Sequence, residues 1–191
     1  MRSGGGKDKG SGFEREICEF LSLWISEGTR KDVFWRSASS GGRSTIALAH
    51  GKGAIEYAAS DIAPVHPLAY RLLDLFAIEC KFYGDLHLQD LPFPDRVSNI
   101  ATFWKQVQKD SASVNRQPLL VAKQNRKPIL LGSYIGVITY MYQIAGVANP
   151  VITHSSGLGL ALTDFKMMFH HFKPHHLDQM HTSEEYAKLC F

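Results

Sequence analysis

Cysteine is scarce in this chain, and that scarcity bounds the cellular setting of the protein. Only three cysteines, Cys18, Cys80 and Cys190, occur among the 191 residues, and they lie far apart. An odd and widely spaced set does not make a disulfide framework. We therefore interpret them as reduced, buried thiols of a protein in a reducing compartment.

Long hydrophobic runs and a large excess of charge are missing as well. No apolar stretch reaches the roughly 20 residues that span a bilayer, and the first twelve residues lack the apolar core of a signal peptide. The formal net charge is only +3, so composition alone does not indicate a nucleic-acid partner. Neither a Walker phosphate loop nor a nucleophile elbow is present. We expect a soluble protein.

Apolar periodicity predicts an α/β protein, in which a hydrophobic content of 45% suffices for a core. Helices are expected at 11–28, with Ser11 as N-cap, at 96–114, and at 164–172, with Thr163 as N-cap. Strands are expected at 33–36, 55–64, 72–82, 118–122, 129–137 and 158–162. Two hairpins are expected: 55–64 with 72–82, and 118–122 with 129–137, which turns at Asn125 and Arg126.

Two acidic positions stand out against this apolar background: Asp61, at the end of one predicted strand, and Glu79, within the next. Because residues alternate faces along a strand, Glu79 and Lys81 point one way and Cys80 points into the core. A carboxylate and an ammonium on an apolar strand are costly without a partner or a task. Two carboxylates with water molecules can bind Mg²⁺, and a neighbouring lysine can orient the attacking water or stabilise developing charge.

Four motifs follow one another in a recognisable order: Glu14-Arg15-Glu16 after a glycine- and serine-rich stretch, Arg36-Ser37, Asp61, and Glu79-x-Lys81. This order resembles the PD-(D/E)XK nuclease superfamily and, over residues 7–136, the archaeal-type Holliday-junction resolvases. The resemblance implies a restriction-endonuclease-like α/β fold, with a central mixed sheet flanked by helices. It also implies metal-dependent, structure-specific hydrolysis of DNA phosphodiester bonds by a homodimer.

The resemblance implies a catalytic set as well. Asp61 and Glu79 would bind Mg²⁺, or Mn²⁺, together with the backbone carbonyl that follows Glu79. Glu14 would complete the metal shell through water, and Lys81 would orient or deprotonate the attacking water. Glu14 has a second interpretation, because the helix dipole favours an acid in the first turn of a helix.

DNA contacts are expected from residues around this set. Arg15, Arg36 and a flexible loop with Ser39 and Arg43 would grip phosphates near the cut. On the following helix, Gln106 is the candidate for a side chain close to the metal, as in many members of the superfamily. A plain solvent-facing glutamine is the alternative.

Positive charge is concentrated between 105 and 127, where a single acid, Asp110, occurs among six basic residues: Lys105, Lys109, Arg116, Lys123, Arg126 and Lys127. A local basic strip of this kind suits a phosphate backbone. We expect Lys105 and Lys109 to contact DNA, with a solvated helix face and a basic loop as the alternative.

Three features differ from the resolvases. Ser60 stands where a proline usually precedes the aspartate, Arg36 and Asp61 lie far apart, and the chain continues beyond 140. Two alternatives therefore stay open: a phage or restriction-type nuclease of the same fold that acts on duplex or single-stranded DNA, and a non-catalytic DNA-binding module. The intact Glu79 and Lys81 argue against the module, since binding a polyanion does not need paired carboxylates.

The expected organisation is a flexible basic arm at 1–10, a nuclease core at 11–140 and a C-terminal extension at 141–191 packed on the core. Five histidines fall between 170 and 181. A zinc site is one interpretation, but adjacent helical histidines point apart, which favours a phosphate-facing or solvated tail. The expected location is the cytoplasm of a prokaryotic or phage-infected cell, with branched or duplex DNA as partner and no membrane.

Overall fold

The computed structural model of the protein describes residues 5–37, 57, 59–91 and 98–189. The predicted DNA-binding residues Ser39 and Arg43 lie outside these ranges. Several other predicted features also lie outside them in part: residues 1–4 of the predicted arm, positions 55, 56 and 58 of the predicted strand 55–64, positions 96 and 97 of the predicted helix 96–114, and Cys190.

Helices and strands alternate along the described chain. The helices are α1 (Gly5–Ile25), α2 (Tyr70–Leu73), α3 (Asn99–Ala112), α4 (Ile135–Ile144), α5 (Phe165–His171), α6 (Pro174–Thr182) and α7 (Glu184–Leu189). The strands are β1 (Phe34–Arg36), β2 (Ile62–Pro64), β3 (Phe76–Tyr83), β4 (Gln117–Gln124), β5 (Ile129–Tyr134), β6 (Thr153–Ser155) and β7 (Leu160–Asp164). None of the helices in this described part is long and apolar enough to cross a membrane.

In the described residues, five strands form one mixed sheet in the order β3-β4-β5-β7-β6. β3 is parallel to β4, and the other neighbours are antiparallel. β1 and β2 form a separate antiparallel pair. With helices on both faces of the sheet, this arrangement confirms the expected restriction-endonuclease-like α/β class.

Each face of the sheet carries its own apolar layer. α1 and α5 cover one face, where Ile17 and Phe165 belong to the same cluster as Ile78 of β3. α3 covers the other face, where Trp104 packs with Leu120 of β4. β3 reads as a nearly continuous apolar run because both of its faces are covered. It is also an edge strand, so one side of its backbone is open to other segments.

The prediction that Asp61 and Glu79 lie on the two strands of one hairpin is wrong. β2 pairs with β1 and not with β3, and Leu72 and Leu73 belong to helix α2. β3 pairs in parallel with β4, and α3 lies in the crossover between them. The error has a physical cause, since a short apolar run fits a buried helical turn as well as a strand.

Element boundaries differ elsewhere by a few residues. α1 begins at Gly5 and not after an N-cap at Ser11, so it includes part of the predicted arm. Asp164, in place of Thr163, caps α5, and its Oδ1 accepts a hydrogen bond from the backbone N of Met167 at 2.7 Å. The hairpin of β4 and β5 is confirmed.

Residues beyond 140 belong to the same sheet and core. β7 lies between β5 and β6. Trp24 of α1 donates a hydrogen bond from Nε1 to the backbone O of Phe172 at 2.9 Å, and the rings of Phe20 and Phe165 lie 4.8 Å apart. The C-terminal helices thereby hold α1 in place against the sheet, and α1 is one of the elements that build the site.

Candidate active site

The open edge of β3 is closed by the residues just before β2. Asp61 donates a hydrogen bond from its backbone N to the carbonyl of Ile78 at 2.8 Å, and its Oδ2 accepts one from the backbone N of Cys80 at 2.9 Å. Ser60 Oγ donates to the same carbonyl at 2.9 Å and accepts from the backbone N of Ile78 at 3.1 Å. The carboxylate of Asp61 is thereby held against β3 although β2 does not pair with it.

The face of β3 towards α3 carries the predicted acid and lysine together. Glu79 is only 6% exposed, and its Oε1 lies 2.5 Å from Lys81 Nζ. Gln106 of α3 donates a hydrogen bond from Nε2 to the same Oε1 at 3.4 Å. The alternation of residues along the strand places the ion pair, and the packing of α3 on the sheet brings the amide to it.

α1 and β1 bring a third acid and an arginine to the same place. Glu14 and Arg36 form a largely buried ion pair between Oε2 and Nε. The register of β1 with β2 sets Arg36 opposite Ile62, the residue after Asp61, and the backbone N of Ser37 donates to the carbonyl of Asp61 at 2.8 Å. Three acids from separate parts of the chain therefore surround the β3 edge.

The charges at this edge perturb one another. Burial raises the pKa of Asp61 to about 7, and the charges of Glu79 and Glu14 add to that rise, which the hydrogen bond from Cys80 only partly offsets. Burial lowers the pKa of Lys81, but the hydrogen bond and charge of Glu79 outweigh burial, so the net shift is upward. The lysine is therefore a cation at neutral pH, beside two carboxylates that repel each other.

This donor set fits a divalent cation with a preference for oxygen. The carboxylates of Asp61 and Glu79 supply two hard ligands, and a cation between them would relieve the repulsion that raises the pKa of Asp61. Backbone groups of alternate residues face the same side of a strand, so the carbonyl of Cys80 faces the Asp61 edge as that of Ile78 does.

A complete cage of protein ligands is not formed. Among the described residues, no three histidine, cysteine, aspartate or glutamate side chains are grouped so that they could hold a metal ion. Glu14 pairs with Arg36, and the described histidines of 170–181 form no such group. The predicted third ligand would therefore act through water, as the sequence analysis supposed.

Two thiols lie behind the site. Cys18 and Cys80 are buried and free, as predicted. Burial raises the pKa of Cys18 to about 12 and that of Cys80 well above its usual value. Both thiols stay protonated near neutral pH, which suits core residues and not thiolate ligands of a metal.

Comparison with known proteins agrees with this geometry. The model of a family described as "phage putative PDDEXK endonuclease" matches residues 5–179. The chain belongs to this family. The match confirms the PD-(D/E)XK superfamily and extends beyond 136 to include β6, β7 and α5. No curated protein and no solved structure matches the chain significantly.

The predicted DNA-binding residues of this PD-(D/E)XK endonuclease family member fall into two groups. Arg36 and Gln106 contact the acids of the site directly. Arg15 is exposed on α1, and Lys105 and Lys109 are exposed on α3. The second group is available to a ligand but does not belong to the carboxylate cluster.

The basic strip predicted between 105 and 127 is divided in the structure. Arg116, at the start of β4, lies 3.9 Å from Asp74, while Lys123, near its end, pairs with Glu16 at 2.7 Å. The two cations are seven positions apart in the chain, which is about 23 Å along an extended strand. Acids on other elements neutralise these two positions, so the strip is not one continuous surface. The other four cations of the strip stay exposed: Lys105, Lys109, Arg126 and Lys127.

Two residues of this region, Ser60 and Tyr83, were not among the predicted site residues. Ser60 stands out in the sequence only as a departure from a proline, yet its hydroxyl makes three hydrogen bonds, two with the backbone of Ile78 and one from the backbone N of Ile62. Tyr83 lies two residues beyond Lys81 on the same face of β3. Strand alternation could have found Tyr83, whereas the hydrogen bonds of Ser60 depend on a distant strand.

Proposed function

We propose that the protein is a divalent-metal-dependent endonuclease that hydrolyses phosphodiester bonds of DNA. The observation that carries this proposal is the carboxylate of Asp61 held on the edge of β3 beside the Glu79–Lys81 pair. A DNA-binding module has no need for two partly buried carboxylates, where burial and then mutual repulsion raise the pKa of Asp61. A hydrolase that binds a cation there does.

Each residue of the site has a role in this proposal. Asp61 and Glu79 bind Mg²⁺, or Mn²⁺, with the carbonyl of Cys80 as a further oxygen ligand. When bound, the ion polarises the phosphate and lowers the pKa of water. Lys81, a cation beside Glu79, orients the attacking water and stabilises the negative charge that develops on the phosphate. Glu14 holds a water of the metal shell.

Basic residues around the site are proposed to contact the DNA phosphates. Arg36 orients Glu14 through their ion pair and approaches the phosphate, while Arg15, Lys105 and Lys109 neutralise phosphates farther along the strand. Ser39 and Arg43 belong to the same proposal by their place in the sequence.

The form of the DNA is a finer question, with two candidates. The motif order favours a branched substrate of the junction-resolvase type, cut by a homodimer. The family description names a phage endonuclease, which supports the second candidate, a phage nuclease that we propose acts on duplex or single-stranded DNA. Both place the protein with DNA in the cytoplasm of a prokaryotic or phage-infected cell.

One panel of substrates tests the function. Labelled four-way junction, flap, nicked duplex, linear duplex and single strand are incubated with the wild type in Mg²⁺, in Mn²⁺ and in EDTA, with Glu79→Gln as the matched inactive control. We expect metal-dependent cleavage by the wild type of at least one substrate and none by the variant. Absence of cleavage of every substrate with either metal would favour the binding module. Light scattering of the protein with and without DNA tests the homodimer.

A further inference from the structure

Tyr83 extends the catalytic face of β3 beyond the acid and the lysine. Glu79, Lys81 and Tyr83 are alternate residues of one strand, so their side chains leave the same face. At about 3.3 Å per residue, Tyr83 lies about 7 Å beyond Lys81 and about 13 Å beyond Glu79. It is 47% exposed, although the first five residues of the strand are buried.

The ring of Tyr83 is held in place from one side. Its centroid lies 4.8 Å from that of Phe103 at an interplanar angle of 53°, and Phe103 is buried on α3. Lys81 Nζ lies 5.6 Å from the centroid of the same phenylalanine. One residue thus supports both the catalytic lysine and the exposed tyrosine, so the distance between the two is set by shared packing.

Contacts between β3 and α3 set the order of the side chains along this face. Gln106 contacts Glu79 and Phe103 contacts Tyr83, so the aromatic pair marks one end of the face. Lys109 is one helical turn beyond Gln106, at the other end, and is exposed. A strand of DNA lying along this face would meet the carboxylates and then an exposed aromatic ring.

An aromatic ring in this position matches the chemistry of a nucleobase. Bases stack on exposed aromatic side chains, and such contacts tolerate any sequence because every base has a π-face. In an intact duplex each base face is covered by its neighbours, so only an unpaired or extruded base can be stacked on. Successive nucleotides rise about 3.4 Å along the axis of duplex DNA, so the roughly 13 Å from Glu79 to Tyr83 spans at most about four nucleotides.

We propose that Tyr83 is a base-stacking subsite that receives an unpaired nucleobase next to the cut, so that the enzyme selects DNA with a single-stranded or frayed nucleotide there. The inference rests on the proposed function, because the cut defines where the subsite lies. It names a substrate class, and flaps, junctions and single strands share it while perfect linear duplex does not.

The test measures binding without cleavage. Flap, single-strand and linear-duplex DNA, with 2-aminopurine placed in turn at each of four nucleotides on either side of the cut, are titrated onto Glu79→Gln protein. The same titrations are repeated with Tyr83→Ala and Tyr83→Phe added. We expect Tyr83→Ala to weaken binding of flap and single strand by about 5- to 150-fold per stacked base, and binding of linear duplex by less than about twofold. Tyr83→Phe should restore the affinity.

A matched control is available in Trp35, which is 48% exposed on β1. Phe34 and Arg36 face the core and the site, so Trp35 leaves the opposite face of its strand. Trp35→Ala should change neither affinity nor fluorescence. One 2-aminopurine position should be quenched by the protein with Tyr83 and bright with Tyr83→Ala.

Two results would overturn the proposal. The first is unchanged affinity and fluorescence in Tyr83→Ala, which would mean that the ring of Tyr83 only shields Phe103 from solvent. The second is an equal loss of affinity for duplex and flap, which would make it a general contact. If Tyr83→Ala lowers the melting temperature, Tyr83→Leu keeps an apolar cover on Phe103 and should still lose the stacking signal. Failure of the proposed function would show differently, as an absence of cleavage by the wild type whatever the binding data.

Discussion

The two edges of the central sheet treat polar groups in opposite ways. Near the β6 edge, the hydroxyls of Tyr142 and Thr163 hydrogen-bond to each other at 2.6 Å, and Thr163 also donates to the carbonyl of Val151 at 3.0 Å. At the β3 edge, burial raises the pKa of Asp61 to about 7, and the like charge of Glu79 adds to that rise. One edge pairs neutral groups and gains stability, while the other keeps charges that repel.

The difference identifies which edge serves a ligand. Hydrogen bonds between buried neutral groups contribute about 1 kcal/mol each to stability. Like charges in a partly buried site reduce stability, and such sites concentrate where chemistry takes place. Neutralising an acid at the β3 edge should therefore abolish activity without destabilising the fold, whereas removing a hydroxyl near β6 should destabilise the fold and leave activity unchanged.

The largest expected effect comes from Asp61→Asn. This variant loses an anionic metal ligand, so we expect cleavage to fall by more than about 10⁴-fold in Mg²⁺, as for removal of a central catalytic group. The contrasting variant is Thr163→Val near the other edge, which should lower the melting temperature and leave cleavage unchanged. Wild-type cleavage rates in Asp61→Asn would place the site elsewhere.

Asp61→Asn should also stabilise the metal-free protein at high pH. The pKa of Asp61 is raised in the folded state to about 7, above about 3.9 in the unfolded chain, so the folded state binds the extra proton. Its favourable contribution is complete below about pH 4 and is lost as pH rises through 7, a loss of up to about 4 kcal/mol. Urea unfolding in EDTA between pH 5 and 8 should show a slope in the wild type that is much smaller in the variant.

Lys81→Ala ranks next. Loss of an electrostatic contributor should lower the single-turnover cleavage rate by about 10²- to 10⁴-fold, while DNA affinity measured in Ca²⁺ changes little. Lys123→Ala is the matched control, because Lys123 is also a strand lysine in an ion pair, with Glu16 at 2.7 Å. A small, equal fall of rate and affinity in Lys81→Ala would make this lysine a backbone contact.

Ser60→Ala should give a smaller effect that combines both kinds of loss. Removing a hydroxyl that bridges Ile78 and Ile62 leaves buried backbone groups unpaired, at a cost of about 1–3 kcal/mol. It also loosens Asp61, so we expect a higher metal concentration at half-maximal rate. Ser133→Ala, which removes a buried hydrogen bond to the carbonyl of Pro118 at 2.7 Å, should cost stability alone. Identical metal titrations for the two variants would contradict the positioning role of Ser60.

The smallest effect is expected from charge reversal of Lys105 and Lys109 together. Each phosphate contact that is lost should reduce the slope of log affinity against log salt by about 0.9, so the double variant should lose about two units. Reversal of two other exposed lysines, Lys166 of α5 and Lys173 just before α6, changes the net charge equally and serves as control. An equal change of slope in both double variants would mean that overall charge, and not α3, holds the DNA.

Local chemistry was predictable from the sequence because it depends on neighbours in the chain. Strand alternation set Glu79 and Lys81 on one face, and the structure places them 2.5 Å apart. Gln106, on the helix after β3, was predicted close to the metal or else facing solvent, and its amide lies 3.4 Å from Glu79. The roles assigned to these residues stay predictions until the variants above are measured.

The pairing of the strands that carry Asp61 and Glu79 was predicted wrongly because strand pairing does not depend on local sequence alone. Asp61 was expected opposite Glu79 through pairing of their strands, but β2 pairs with β1, and only the hydrogen bonds of Ser60 and Asp61 reach β3. The basic residues between 105 and 127 were expected to form one strip. In the structure, acids from other elements form ion pairs with two of them, Arg116 and Lys123.

The sequence by itself determined the α/β class, the order of the motifs, and which residues of β3 share a face. The tertiary structure decided how Asp61 reaches that strand, which acid pairs with Arg36, and where Tyr83 is exposed beside Phe103. The physical reason is that side-chain alternation follows from the geometry of a single strand, whereas the partner of an edge strand depends on segments distant in the chain. Those segments are positioned by burial of apolar surface on both faces of the sheet, which no local pattern specifies.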